Sequence, residues 1–473
     1  LLTDDSRAVE PGCCFVAVRG SGVDGHAFVA DAVRGGAAVV VLERAVPVPA
    51  GVICVRVSDS REALAKLAAA FYGFRGGAGE GFRLVGITGT NGKTTVAWML
   101  RSILQAAGLP SALVGTVEYD LLAQRRPAPL TTPGSLTLCR HLADARQAGA
   151  ACAVLEVSSH ALDQRRCDGL SFEVGVFTNL SGDHLDYHHT MEAYGDAKRR
   201  LFELVDTDGW AVLNLDDPLG ASLARVVDRR RFTFALQTSC ADVAAESITL
   251  GRRGTEFVLR GRAFRSPVRL RIPGGHNVAN ALAAAAGAEA MGLPPEAICA
   301  GLERLAAVPG RLQRVEPDDW PFSVLVDYAH TDQALASVLA ALKPLADGRL
   351  ICVFGCGGDR DRTKRPRMAA VVGRFADVAY VTSDNPRTED PQRIIEDILP
   401  GFDGAASCRV VVQADRARAI EAAIAEARPL DVVLIAGKGH ETYQLIGGRV
   451  LPFDDREVAL RCLSASAVAE GAA

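Results

Sequence analysis

The stretch Val85-Gly86-Ile87-Thr88-Gly89-Thr90-Asn91-Gly92-Lys93-Thr94-Thr95 constrains the fold more than any other part of the chain. An apolar run, Leu84 to Ile87, reads as a buried strand and a glycine-bearing turn follows it. Lys93-Thr94-Thr95 then opens an amphipathic pattern carried by Val96, Leu100, Ile103 and Leu104. Strand, glycine turn, Gly-Lys-Thr and helix make a phosphate-binding loop. The backbone N–H groups of Gly89, Thr90, Asn91, Gly92, Lys93, Thr94 and Thr95 and the helix N-terminus surround phosphates, Lys93 offsets their charge, and the Thr94 hydroxyl suits Mg²⁺. The spacing is off-pattern: counting back from Gly92-Lys93, the first glycine of the usual signature would fall at Ile87. An ordinary glycine-rich turn between strand and helix would not need the lysine.

With 473 residues the chain is too long for one ordinary core, and about three domains are expected. A hydrophobic content of 49% beside 23% charged residues is that of a soluble globular protein, and a net charge of −4 argues against nucleic acid as a main partner. No apolar run approaches the roughly 20 residues needed to span a bilayer. The start, Leu1-Leu2-Thr3-Asp4-Asp5, has neither an initiator Met nor a signal peptide, which leaves open a trimmed upstream segment; any such residues would belong to the first domain. The 12 cysteines are scattered without metal-finger spacing, which points to core thiols and a reducing, cytoplasmic setting. Of the 52 basic residues six are lysines: Lys66, Lys93, Lys198, Lys343, Lys364 and Lys438. A lysine kept in so arginine-rich a chain is a candidate for work a guanidinium cannot do.

The fold class is α/β. A small N-terminal α/β unit, residues 1–78, alternates strands (Cys14–Val18, Ala37–Leu42, Ile53–Val57) with helices and ends in the linker Gly76–Gly81. The central domain, 79–308, has strands expected at Ser111–Gly115, Cys152–Val157, Val174–Thr178, Trp210–Leu215 and Phe232–Ala235. Helices at Ser135–Gln147 and Met191–Leu204 lie between them, in the rhythm of a doubly wound, mostly parallel sheet. Residues 241–272 read as antiparallel strands, before an Ala-rich helix at 278–291. The third domain, 309–473, is Rossmann-like, with strands at Val324–Asp327, Leu350–Phe354, Val378–Thr382, Arg409–Val412 and Val432–Ala436.

Polar clusters follow the strands, where open α/β sheets bind ligands. Glu156 and His184 are expected on the same sheet edge as Thr94, a set suited to Mg²⁺ shared with phosphates. Lys198, beside two arginines, could take up CO₂ as a carbamate and become an anionic oxygen ligand; a solvent-facing lysine is the plain alternative. In the third domain Gly355–Pro366, Ser383–Arg387 and Ala436–Glu441 each follow a strand. Asp384, Arg387 and Glu441 offer mixed charge for a small zwitterion, unless they only form a surface ion-pair network.

The ordered set TGTNGKTT, LEVSSHALDQRR, TNLSGDHLDYH, YGDAKRRLF, GGHNVANA, PGRLQ, VDYAHTDQAL, FGCGGDRDRTKRPRM, DNPR and AGKGHE resembles the bacterial Mur ligases, from Asp5-Ser6-Arg7 to Glu441. It is most similar to the branch that builds the UDP-N-acetylmuramoyl tripeptide. The resemblance implies a uridine-nucleotide domain, a central ATPase and a C-terminal domain that brings the amino acid. It implies a cytoplasmic ATP- and Mg²⁺-dependent ligase of peptidoglycan synthesis, expected as a monomer. Its substrates would be UDP-MurNAc-L-Ala-D-Glu and meso-diaminopimelate, joined through an acyl phosphate.

By position the resemblance makes Thr94, Glu156, His184 and carbamylated Lys198 metal ligands, with Lys93, Lys198, Glu156 and His184 as the catalytic set. Asn277, Arg311 and Asp327 fall on the ATP side. Ser6 and Arg7 align with the uridine site, and Thr131, Thr132, Ser158, Gln164 and Arg166 with contacts to the muramoyl dipeptide. Arg360, Asp384, Asn385, Arg387, Gly437 and Glu441 align with the amino-acid pocket. The Arg19-Gly20-Ser21-Gly22 loop departs from the Gly-His of some relatives. Arg387 is the residue expected to choose diaminopimelate, whose second carboxylate it can hold in a bidentate fork. The rival readings are another amide ligase of the same fold and a non-catalytic nucleotide switch.

Overall fold

In the computed structural model the described residues are 1–20, 22–74, 81–317, 319–404 and 407–470, with side chains to 465. Ser21 and most of the expected linker, Gly76–Glu80, lie outside them. The chain forms two compact units. The first comprises Leu1–Ala244, Gly261–Ala263 and Leu282–Gly301, and the second Ala245–Arg260, Phe264–Ala281 and Leu302–Ala473.

The first unit begins with a parallel sheet of Leu2–Thr3, Cys14–Val16, Val39–Leu42 and Ile53–Arg56. Because successive side chains on a strand point to opposite faces, one face sends Phe15, Val40 and Leu42 into a small core with Val29 and Ala32. The other face sends Val16 and Val41 into a core shared with Leu64, Ala68 and Phe74, continuing through Leu84, Leu155 and Phe177 of the next sheet. The N-terminal sheet is thus packed onto the same apolar layer as the phosphate-loop strand.

Inward from the start of the strand Val243–Gly251, which pairs in parallel with Arg230–Ala235, that second sheet runs Arg230–Ala235, Val205–Asn214, Phe172–Phe177, Arg83–Thr88, Cys152–Glu156 and Ser111–Val114, all parallel. An antiparallel meander, Glu118–Asp120 and Arg125–Pro127, completes it. Arg83–Thr88 sits where the order reverses, the position at which doubly wound sheets open a ligand crevice at their strand C-termini. Register aligns the ends: Ile87 pairs with Glu156 and Thr88 with Phe177. The helix Ser135–Gln147 has the expected bounds. The expected helix Met191–Leu204 is α-helical to Arg199 and tightens to a 3₁₀ turn over Arg200–Glu203. The antiparallel meander and, in the second unit, the hairpin of Tyr443–Ile446 with Arg449–Pro452 were not expected from sequence.

In the second unit, the hairpin Gly254–Arg260 with Arg265–Leu270 is antiparallel, as expected; the start of the 241–272 stretch departs from that reading, since Val243 and Ala244 of the first unit pair in parallel with Phe234 and Ala235. Its main sheet has the order Gln313–Arg314, Ser323–Asp327, Val432–Ala436, Leu350–Phe354, Val378–Val381 and Arg409–Val412, parallel except for the first. Alternation again divides the strands between two cores. Val324, Val326, Ile351, Val353, Val433 and Ile435 pack with Ile420 and Val458 on one face, whereas Leu325, Cys352, Phe354 and Leu434 pack with Leu339, Met368 and Ile395 on the other. Near-continuous apolar strands of this kind mark a sheet covered on both sides. Among the described residues no helix is long and apolar enough to cross a membrane.

Candidate active site

The helix Lys93–Ala106 starts directly after Gly92, whose φ of +87° makes the turn out of the strand. Val96, Leu100, Ile103 and Leu104 bury its inner face completely. The loop's close approach is met at Gly89: a Cβ there would stand 1.9 Å from Thr178 Oγ1. Ile87 is an interior strand residue, which explains why the off-pattern position needs no glycine.

Side chains of the neighbouring strand end lace the loop. Thr178 Oγ1 donates to the Asn91 carbonyl at 2.6 Å, the Asn91 N–H donates to Asn179 Oδ1 at 3.0 Å, and the Ser181 N–H donates to Thr90 Oγ1 at 3.0 Å. Lys93 Nζ donates to the carbonyls of Gly89 (2.9 Å) and Thr90 (2.8 Å), which holds the ammonium inside the curve of the loop. Thr95 is buried behind it.

Lys198 lies fully buried on the helix Met191–Arg199, whose start is capped by Thr190 Oγ1 accepting from Ala193 N–H. One turn earlier, Tyr194 presents its ring 4.2 Å from Lys198 Nζ. The amine also donates to the Gly89 carbonyl at 2.8 Å. Burial first, and then the Lys93 ammonium, push its pKa well below that of an ordinary lysine. A neutral amine is the form that adds CO₂, so the environment favours the carbamate chemistry expected at this position.

Glu156 is wholly buried. Its Oε2 accepts from Thr94 Oγ1 at 2.8 Å and Thr116 Oγ1 at 3.0 Å, and its Oε1 from the Thr116 N–H at 2.8 Å. His184, at φ +54°, stands with its ring 4.8 Å from His160 and 6.2 Å from Tyr194. His184 keeps 46% of its side chain exposed; partial desolvation of the ring, with His160, Lys93 and Lys198 adding to it, pushes it down to about 4 despite the opposing Asp183. It is therefore neutral at pH 7, as a metal ligand must be. Thr94 and Glu156 supply hydroxyl and carboxylate oxygens at one point, a donor set that fits Mg²⁺ better than a soft metal.

The hydrogen-bonded network continues from Glu156 to the residues aligned with the dipeptide. Thr116 Oγ1 lies 3.1 Å from Thr131 Oγ1, and Thr132 Oγ1 donates to the Glu156 carbonyl at 2.8 Å. The Ser158 N–H donates to Thr132 Oγ1 at 3.0 Å, while Arg166 donates to the Thr132 carbonyl at 2.7 Å and to Gln164 Oε1 at 2.7 Å. Five predicted residues thus join the phosphate loop in one connected patch. Ser6 and Arg7 do not belong to it: Ser6 opens a short 3₁₀ turn capped by Asp5, and the exposed Arg7 pairs with Asp5 at 2.8 Å.

The remaining residues lie in the second unit. Asn277 is buried near the start of the helix Gly275–Ala290, donating to the Pro273 carbonyl at 2.8 Å and accepting from Asn280. Arg311 stacks 4.6 Å over Tyr328. Asp327, raised by burial, accepts from the N–H groups of Leu312 and Ala329, at 2.7 and 2.8 Å.

Around the ends of the strands Val378–Val381 and Val432–Ala436, Asn385 Nδ2 donates to Glu441 Oε2 at 2.8 Å. Gly437, at φ +115°, leaves room for Asp384, whose Oδ2 would be 2.6 Å from a Cβ. Arg387 has φ +54° and donates through Nη1 to the Gly358 carbonyl at 2.8 Å. A Cβ on Gly357 would stand 2.9 Å from Arg387 Nη1 and 3.9 Å from Cγ of the exposed Arg360. The neighbouring cations are mostly structural: Arg362 and Arg365 pair with Glu389, Arg365 also with Asp397, and Arg367 with Asp332.

Thr116, Tyr194 and His160 were not singled out from sequence, and Lys438 stood out only as one of six retained lysines, without a site. Thr116 follows the strand Ser111–Val114 and was open to the same strand-end argument that found Glu156. A further antiparallel hairpin, Tyr443–Ile446 with Arg449–Pro452, holds the Asp384–Arg387 segment. The Arg387 N–H donates to the Leu445 carbonyl at 2.9 Å, and Gln444 Nε2 to the Asp384 carbonyl at 2.6 Å.

Comparison with known proteins agrees along the whole chain. The Mur ligase family catalytic domain matches residues 1–72, the Mur ligase middle domain 87–288, and the Mur ligase glutamate ligase domain 310–439. A UDP-N-acetylmuramoyl-L-alanyl-D-glutamate–2,6-diaminopimelate ligase of Geobacter metallireducens is 46% identical over 476 residues, covering 96% of this chain and 92% of the relative. Its namesake in Gloeobacter violaceus is 46% identical, covering 98% and 93%. A solved structure of a ligase of that name superposes with a TM-score of 0.72 at 34% identity, covering 98% of this chain and 95% of the other. The MurF ligase of Thermotoga maritima in complex with ADP shares the fold, with a TM-score of 0.65 at 21% identity. The three matched segments, the length of the shared alignment and the superposition agree that this chain belongs to the Mur ligase family.

Proposed function

We propose that the protein adds meso-diaminopimelate to the D-Glu γ-carboxylate of UDP-MurNAc-L-Ala-D-Glu, hydrolysing ATP to ADP and phosphate. The observation that carries this reading is the unbroken hydrogen-bonded patch from Thr94 of the phosphate loop through Glu156 and Thr116 to Thr131, Thr132, Ser158 and Arg166. Such a patch sets a carboxylate substrate beside the phosphates of a nucleotide. The substrate carboxylate attacks the γ-phosphorus, ADP leaves, and an acyl phosphate forms. An amine of diaminopimelate then attacks the acyl carbon, loses a proton, and expels phosphate through a tetrahedral intermediate. The first step brings anions together, so Lys93 and the loop N–H groups must offset their repulsion.

Thr94, Glu156, His184 and carbamylated Lys198 would hold Mg²⁺, which when bound offsets charge between carboxylate and triphosphate. Asn277, Arg311 and Asp327 serve the ATP side, and Ser6 with Arg7 the uridine end. Asp384, Asn385, Arg387, Arg360, Gly437 and Glu441 receive the amino acid. The residue spans 1–78, 79–308 and 309–473 correspond to these three tasks. A monomer in the cytoplasm, where UDP-sugars and ATP are made, accords with the reading.

Phosphate release with UDP-MurNAc-L-Ala-D-Glu, compared for meso-diaminopimelate, L-lysine and no amino acid, tests it. Release is expected with diaminopimelate alone. Release independent of amino acid would instead support a nucleotide switch.

A further inference from the structure

Lys438 is fully buried, yet its ammonium meets two polar side chains from different loops. Nζ donates to Asn385 Oδ1 at 3.1 Å and to Glu441 Oε2 at 2.9 Å. The glycines on either side, Gly437 (φ +115°) and Gly439 (φ +55°), turn the backbone sharply there, and a Cβ at either would collide with Asp384 or Tyr328. The strand Leu350–Phe354 lies between the two strands whose ends carry Asn385 and Lys438, so the lysine ties together loops that are not sheet neighbours.

The consequence is orientational. Asn385 Oδ1 accepts from both Lys438 Nζ and the Leu445 N–H, at 3.0 Å, which uses both of its lone pairs. A flipped amide would turn its NH₂ toward two donors, so Nδ2 is committed to Glu441 Oε2. That same Oε2 takes the Lys438 bond, which leaves Oε1 of the carboxylate to a ligand. A compact ammonium with tetrahedral donors makes these two bonds from one atom; a planar guanidinium of greater bulk does not reproduce them. This accounts for a lysine in a chain that uses arginine for all but six of its 52 basic residues.

We propose that Lys438 is a positioning residue of the amino-acid pocket, fixing the Asn385 amide and the Glu441 carboxylate in the orientation that receives the ammonium of the incoming diamino acid. The proposal rests on the assignment of 384–387 and 437–441 to that pocket. Its test is steady-state kinetics of the full chain and its Lys438→Met, Glu441→Gln and doubly substituted forms, varying each substrate in turn.

Lys438→Met is expected to raise KM for meso-diaminopimelate at least tenfold, with KM for ATP and for the UDP-linked substrate within twofold. Added to Glu441→Gln, it should change KM less than twofold more, because it acts through that carboxylate. An unchanged KM in Lys438→Met, with a raised one in Glu441→Gln, overturns the proposal and leaves the pocket standing. Parallel losses for all three substrates, or fully additive effects, also overturn it in favour of a structural lysine. If Glu441→Gln is itself without effect, the pocket assignment falls and the proposal with it. Should the methionine protein fail to fold, Lys438→Arg carries the test, with KM for diaminopimelate alone raised at least threefold.

Discussion

Arg387 Nη1 is anchored on the Gly358 carbonyl, so the guanidinium projects from a fixed point rather than sweeping freely. An anchored fork is what the second carboxylate of diaminopimelate requires, since charge-assisted bidentate pairs are roughly twice as strong as neutral hydrogen bonds. Arg387→Ala should therefore reduce kcat/KM for diaminopimelate by about 100-fold, in line with a loss of roughly 3 kcal/mol, while nucleotide affinity measured by calorimetry stays unchanged. At Lys198 the relevant property is an amine depressed by burial and by Lys93. Lys198→Ala should be nearly inactive, and short carboxylic acids added to the assay should restore part of its activity. Full activity without them would remove the carbamate role.

His184 has a definite sign to its pH dependence. Its folded pKa of about 4 lies below the ordinary imidazole value, so the unfolded chain binds more protons between about pH 4 and 6.5. This group's contribution to stability therefore declines as pH falls through that window, and the ring stays neutral above it. An NMR titration of its ring protons in metal-free protein should show a midpoint near 4, and a midpoint above 6 would refute the burial argument. Most of these residues could be read from their place after a strand. The amide orientation of Asn385 and the depressed Lys198 could not, because both depend on neighbours more than 50 residues away in the chain.

At the level of elements, the phosphate loop works as a knot tied between two strand ends. Gly89→Ala would push a Cβ into Thr178 Oγ1, the same hydroxyl that holds Asn91. The expected result is a melting temperature lower by several degrees, as for a loss of about 1–2 kcal/mol, and a nucleotide affinity reduced at least tenfold. Wild-type affinity would show that the loop can rearrange around the methyl group. The strands here were legible because each is an apolar run ending in polar residues. The hairpin Tyr443–Pro452 was not: Arg449–Pro452 is exposed throughout and offers no apolar face to detect. Its turn, Gly447-Gly448 with both φ values positive, carries the glycine pair that two-residue hairpins favour and was the usable signal.

For the whole molecule, arginine does two kinds of work that sequence does not separate. Arg365 and Arg416 are fully buried and paired, with Glu389 and Asp397 in one case and Asp455 in the other. They knit helices of the second unit together, whereas Arg387, on the loop between them in sequence, is held through Nη1 by the Gly358 carbonyl and is proposed to face the ligand. The Gly355–Pro366 loop is rich in arginines, and only the positions of acidic partners reveal Arg362 and Arg365 as framework. Arg387 also differs in its backbone. At φ +54° it occupies the left-handed region that L side chains adopt at a cost of about 1 kcal/mol or more, and that asparagine tolerates better. Arg387→Asn is therefore expected to raise the melting temperature slightly while abolishing discrimination for diaminopimelate. A laboratory selection for heat resistance alone would then discard the residue proposed to hold the second carboxylate of the substrate.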